Sequence, residues 1–295
     1  MIYNADLNEG FFNSFFYLNK YYGITKNPIT NDFIIIMKYY KLGSLKDYMT
    51  KNFYGIKWNE KLKILSRIIE GLDHIHNQKI IHRDFHSGNI LYENQFDIVI
   101  SDLGISKSSI ESTNDDNEIY GVIPYMAPEI LQGKEYTTAS DIYSFGMIMW
   151  ELMTGRMPFW DQKDDIELII KICKGFRPPI VINAPKGYVE LMQECWNSDL
   201  NKRPTANYIV DIFDKKIIPN YNNDNEIEIV KSSVIRTITT NNSDKSRPLS
   251  KIIKFTESRM LTDSLGNYFY IYIFFKFYFL INLVLIYFRK LQNLI

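Results

Sequence analysis

The stretch IIHRDFHSGNIL, from Ile80 to Leu91, sets His82, Arg83, Asp84, His86 and Asn89 between two apolar flanks. Polar clusters of this density ordinarily belong to surface loops. Here Ile80, Ile81, Ile90 and Leu91 read as short buried strands, so the polar residues lie at the edge of a core and are held there. A rigid catalytic loop needs that arrangement. It does not by itself name a reaction.

Upstream, Leu62, Leu65, Ile68, Ile69, Leu72 and Ile75 recur every three or four positions between Asn59 and Asn77, the stripe of an amphipathic helix. Earlier still, Phe11 to Tyr22 and Phe33 to Tyr40 are aromatic and β-prone. Gly23 and Asn27-Pro28 supply turn signals, so a hairpin is expected. Ser44 is a candidate N-cap for a short helix through Met49. Downstream, Ile98 to Ile100 reads as a strand, and the polar segment Ser106 to Glu118 as an exposed, mobile loop with no core face. Helical patterns then follow through Ile142 to Leu152, Ile166 to Cys173, Val189 to Trp196 and Ala206 to Phe213. A few strands followed by mostly helices predict an α+β fold with segregated layers.

Composition narrows the classes without choosing among them. Lys plus Arg equals Asp plus Glu, 34 each, so no basic footprint for nucleic acid is present and no nucleic-acid partner is expected. Two cysteines, Cys173 and Cys195, are too few for a disulfide framework. They read as buried free thiols in a reducing, cytoplasmic setting. The skew toward Ile, Asn, Lys, Tyr and Phe follows AT-rich codons, so aromatic density alone earns no ligand hypothesis.

The charged residues have a telling order. His82-Arg83-Asp84 is followed by Asn89, then Ser101-Asp102-Leu103-Gly104, Ala127-Pro128-Glu129, Asp141-Ile142-Tyr143-Ser144-Phe145-Gly146 and Arg203-Pro204. This ordered set resembles the eukaryotic protein-kinase family over roughly residues 15–217 and stands closest to its tyrosine-kinase-like branch. The resemblance implies a protein-kinase-like α+β fold, a mostly helical large lobe beside a stub of antiparallel strands. It implies transfer of the ATP γ-phosphate to a Ser/Thr or Tyr hydroxyl of a protein substrate. Asp84 matches the catalytic carboxylate, flanked by Arg83, and Asn89 and Asp102 match the Mg²⁺ ligands. Met37 matches the gatekeeper, Lys38 and Tyr40 fall in the adenine-contacting hinge, and Leu91 matches the residue beneath adenine. Glu129 and Arg203 match a buried ion pair, and Asp141 the residue that holds the catalytic-loop backbone. Arg83 beside Asp84 implies a loop phosphate on Ser108, Ser109, Ser112, Thr113 or Tyr120.

The departures matter too. His86 and Val122 stand where Ser/Thr kinases carry Lys and Thr, which leaves the acceptor open. No glycine-rich loop, strand Lys or partner Glu is found before Phe15, so the kinase domain, expected over 1–217, reads as beginning near the fourth small-lobe strand. The alternative is an impaired kinase fragment or pseudokinase that serves as a binding or scaffold module. Residues 218–267 are expected to be a polar, disordered linker. Residues 268–288 form an apolar run broken by Lys276 and Asn282, about 32 Å long as a helix and therefore a candidate membrane anchor. Lys276 near its middle costs about 2.5–3.5 kcal/mol on insertion, and translated AT-rich non-coding sequence would look the same. Both readings stay open.

Overall fold

A computed structural model describes residues 17–30, 33–94, 97–103, 107–108, 119, 121–180, 184–219, 259–262 and 268–274. The expected hairpin is present, as strands β1 (Tyr21–Lys26) and β2 (Phe33–Lys38), antiparallel with Lys26 opposite Phe33. Asn27 Oδ1 shapes the turn by accepting the Ile29 N–H at 2.9 Å. The first strand lies later than its aromatic content suggested. Gly23 falls inside it, where the register slips between Tyr21 and Gly23, because a glycine within a strand marks a bulge as readily as a turn. Residues 11–16 lie outside the described residues.

Helix α1 (Leu45–Asn52) starts at the expected cap: Ser44 and Asp47 form a reciprocal capping box. Helix α2 (Trp58–Asn77) buries its whole predicted stripe. Strand β3 (Ile80–Ile81) follows, then β4 (Ile90–Asn94) and β5 (Asp97–Ile100), which pair antiparallel with Ile90 opposite Ile100. The backbone at 17–19 joins this pair: the Ile100 N–H donates to Tyr17 O, and the Asn19 N–H to Ile100 O. Part of the segment expected as a loop is ordered, since β6 (Lys107–Ser108) pairs with β3. The backbone can form such a ladder whatever its side chains, so polarity alone hid it. Ser109, Ser112, Thr113 and Tyr120 lie outside the described residues, and nothing is described of the Ser108 side chain.

The large lobe is built around α4 (Thr138–Thr154), which follows the short helix α3 (Pro128–Leu131). Every residue of α4 from Ser140 to Met153 is buried. A helix apolar on all sides is a core element, and α4 carries the others. Helices α5 (Asp165–Cys173), α6 (Tyr188–Cys195) and α7 (Ala206–Ile212) complete the lobe, and a single hydrophobic cluster runs from Leu45 to Ile217. Cys195 is fully buried as expected, but Cys173 only partly.

The last described strands, β7 (Arg259–Thr262) and β8 (Tyr268–Phe274), return to the small lobe. They complete an antiparallel sheet of order β1-β2-β8-β7, with Phe33 opposite Phe274 and Lys38 opposite Phe269. The described part of the candidate membrane segment is therefore a strand. Among the described residues no helix is long and apolar enough to cross a membrane. The physical reason is that YFYIYIF is built of strongly β-forming residues and the edge of β2 offers unpaired backbone groups. Residues 275–288 lie outside the described residues, as does most of the expected linker, whose residues 259–262 are in β7.

Candidate active site

Asp141, in the first turn of α4 and 1% exposed, organises the loop after β3. Its Oδ2 accepts the His82 N–H at 2.8 Å and its Oδ1 the Arg83 N–H at 3.0 Å. The His76 Nε2 lies 2.9 Å from Oδ2. Arg83 adopts φ 73° under this clamp, and Asp102 adopts φ 58°. Non-glycine residues in the left-handed region cost about 1–3 kcal/mol each and persist only where the surroundings impose them. Two such positions here mark a built site.

His82 is fully buried, donates from Nε2 to the Ser101 carbonyl at 3.1 Å and packs edge-on against Phe85. Asn89 ties the loop together. Its side-chain nitrogen donates to the Asp84 carbonyl at 2.9 Å and to Asp84 Oδ2 at 3.3 Å, while its own carbonyl accepts the Ser101 N–H and hydroxyl. Asn89 and Ser101 thus face each other across the start of the β4–β5 ladder, and Asp102 follows at once. The three carboxamide and carboxylate side chains picked from sequence come from one small region.

Asp84 Oδ1 is buried without a hydrogen-bond partner, and His86 Nε2 lies 3.5 Å from it. Burial pushes the Asp84 carboxyl up, but His86, His82 and Asn89 together outweigh it and hold it below the ordinary carboxylate value. It is ionised at neutral pH with one oxygen unengaged, the state a general base needs.

The donor set suits a hard cation. The Asn89 nitrogen is spent on Asp84, which leaves its amide oxygen able to serve as one ligand, with the Asp102 carboxylate as a candidate second. Among the described residues no cluster of three or more His, Cys, Asp or Glu could hold a metal alone. A Mg²⁺ ion here would need phosphate and water to complete its shell.

On the other side of β4, Tyr40, Leu91 and Val99 form a small apolar cluster separate from the main core, and Met37 is buried on β2 with the Asn19 amide against its sulfur. The Lys38 side chain turns away to a two-carboxylate clamp, 2.6 Å from Asp97 and 3.2 Å from Glu93, with its ammonium 4.6 Å from the Tyr40 ring centre. Burial lowers the Lys38 pKa, but Asp97 and Glu93 outweigh it and hold the pKa above the ordinary lysine value. The Arg83 guanidinium lies 4.6 Å from the Tyr136 ring centre.

Arg203 grips Glu129 with two bonds, at 2.6 and 2.7 Å, inside the core. Leu103 packs against the main core. One group escaped the reading of motifs. Glu151 of α4, 3% exposed, accepts from Tyr125 at 2.7 Å and Ser87 at 3.0 Å. A carboxylate between Trp150 and Leu152 in a helix with no polar face was its only signal.

The protein tyrosine and serine/threonine kinase family model matches residues 16–213. The chain belongs to that family. The kinase domain is 36% identical over 191 residues to "Probable serine/threonine-protein kinase roco8" of Dictyostelium discoideum, a match covering 60% of this chain and 10% of that protein. It is 32% identical over 185 residues to "Dual specificity protein kinase splA" of the same organism, covering 57% and 8%. The chain spans about a tenth of the length of the curated relatives it matches.

Proposed function

We propose that this kinase-family chain transfers the γ-phosphate of ATP to a protein hydroxyl, with residues 1–217 as the catalytic domain. The observation that carries the reading is the Asp84 carboxylate, ionised, fixed at Oδ2 by Asn89 and unengaged at Oδ1. In this reading the acceptor hydroxyl gives its proton to Asp84 Oδ1 as its oxygen bonds to the γ-phosphorus, and the bond to the bridging oxygen of ADP breaks. Asn89 Oδ1 and Asp102 would hold Mg²⁺, which when bound would neutralise triphosphate charge. Adenine lies against Leu91 and Tyr40, near Met37, and meets the backbone rather than the side chain of Lys38, which is committed to Asp97 and Glu93. The names of the relatives, serine/threonine and dual specificity, favour Ser and Thr acceptors. Arg83 serves the loop backbone through Asp141. The two free cysteines fit a reducing compartment.

The test is phosphate incorporation from labelled ATP into a general protein acceptor by the full chain. Asp84→Asn should lower the rate about 10²–10⁴-fold, and Asp102→Asn should raise the Mg²⁺ requirement. Equal rates for the wild type and Asp84→Asn would overturn the reading.

A further inference from the structure

His86 stands two residues beyond Asp84, and the transfer step above gives it no positioning role. Its surroundings fix its chemistry. The Gly88 N–H donates to His86 Nδ1 at 3.0 Å, so Nδ1 carries the lone pair and the ring proton sits on Nε2. That Nε2 faces Asp84 Oδ1 at 3.5 Å, too long for a formed hydrogen bond but close enough to bias where the unengaged oxygen lies. The ring is held from its other side. Tyr125 packs on it with centroids 5.7 Å apart, and the Tyr125 hydroxyl is itself anchored on Glu151 at 2.7 Å. Ser87, the next residue in the loop, reaches the same carboxylate at 3.0 Å. The seat is tight: a Cβ at position 88 would lie 2.7 Å from His86 Cε1 and 2.8 Å from Nδ1. Only a residue without a side chain lets the imidazole rest against that N–H, which explains the glycine within His86-Ser87-Gly88-Asn89.

We infer that His86 is a positioning residue for Asp84, with Gly88 as the seat that selects which ring nitrogen faces the carboxylate. An N–H donor at Nε2 directs Oδ1 while leaving a lone pair for the acceptor hydroxyl. Glu151 acts one step removed, through Tyr125. The inference rests on the kinase reading, and its test separates the two.

The test uses two amides that mimic different ring nitrogens. A glutamine at position 86 extends its amide N–H to where Nε2 lies, whereas an asparagine reproduces only the acceptor for Gly88. In the full chain, His86→Asn and Gly88→Ala are expected to lower kcat about 10- to 100-fold with KM for ATP within about twofold, while His86→Gln stays within about threefold of wild type. A purely structural role gives the reverse order, with asparagine tolerated and glutamine not. Nitrogen NMR of the His86 ring supplies a readout that needs no turnover. A single tautomer protonated at Nε2 in wild type, lost in Gly88→Ala, is expected. An Nδ1-protonated ring, or kinetics in which asparagine matches wild type, overturns the inference. If the wild type transfers no phosphate, the kinase reading fails on its own and the NMR result alone decides whether the seat exists.

Discussion

Lys61 sits in the apolar stripe of α2 at 3% exposure, its ammonium 4.1 Å from the Phe53 ring centre and 5.2 Å from that of Trp58. Burial pushes its pKa from 10.5 down to about 8. Between those values the unfolded chain holds a proton that the folded one has released, so this group makes stability rise as pH climbs from 8 to 10.5. Below pH 8 the folded state bears the full cost of a buried ammonium. Lys61→Met is therefore expected to raise unfolding free energy at pH 7 by about 1–3 kcal/mol and to flatten that rise. Urea melts at pH 7 and pH 10 read both effects; a loss of stability at pH 7 would mean the ring contacts outweigh desolvation. Glu151 behaves in the opposite sense. Burial raises its pKa above the ordinary value of 4.5, and the Tyr125 and Ser87 hydroxyls only partly offset this. The folded chain keeps its proton to higher pH than the unfolded one, so this group lowers stability as pH rises above 4.5 through the folded pKa. Glu151→Gln should hold stability at pH 7 and remove that part of the pH profile, as thermal melts of both proteins across pH 4 to 8 would read. At this scale Asp84, Asn89 and Asp102 stand out in the sequence as candidates because the proposed ligand chemistry demands those residue types. Lys61 and Glu151 were not legible, since charges inside an apolar run carry no spacing to recognise.

Elements are where periodicity spoke most clearly. The stripe from Leu62 to Ile75 defined α2, and the Ser44 cap defined the start of α1, because both signals are local and repeat along the chain. Strand β1 was misplaced toward Phe11 because Gly23 signals a turn and a bulge equally well. Helix α4 could be found but not its role, since burial on every side depends on which partners surround it. Two features hold these elements in place. Glu129 and Arg203 pin α3 to the turn before α7, with the guanidinium also donating to the carbonyls of Asn197 and Ala139. Arg203→Met leaves a buried carboxylate without its partner and should cost about 3–5 kcal/mol; adding Glu129→Leu should recover most of that. Chemical denaturation of the single and double variants measures it, and a double variant as weak as the single would argue against ion pairing as the main contribution. At the end of α4, Gly155 adopts φ 72° with the Phe53 ring 2.5 Å from where a Cβ would be. Gly155→Ala must move Phe53 as well as strain the backbone, so a loss of about 1–3 kcal/mol is expected in the same measurement.

Across the whole molecule, the order of strands in the small sheet was beyond the reach of sequence. An apolar run such as residues 268–288 has the length of a membrane helix whether or not a strand edge awaits it, and β2 lies far away in the chain. The proposed catalytic loop stands out for the opposite reason, since Asp84, Asn89 and Asp102 lie close in sequence and flank or enter one hairpin. If β7 and β8 close the sheet, a chain ending after residue 219 should exchange the amides of β2 faster and self-associate through that edge, as hydrogen exchange and light scattering would show. Unchanged β2 exchange would argue that the pairing contributes nothing. The same pairing sets a clock on biosynthesis. Strand β2 is synthesised well before β8 and meets it only after a wait on the order of ten to fifty seconds at ordinary elongation rates. The large lobe, whose core runs from Leu45 to Ile217, can condense during that interval, while the small sheet stays half-built with its sticky border in reach of chaperones and neighbouring nascent chains. Codon pauses between the two lobes would lengthen that interval, and a faster message would shorten it.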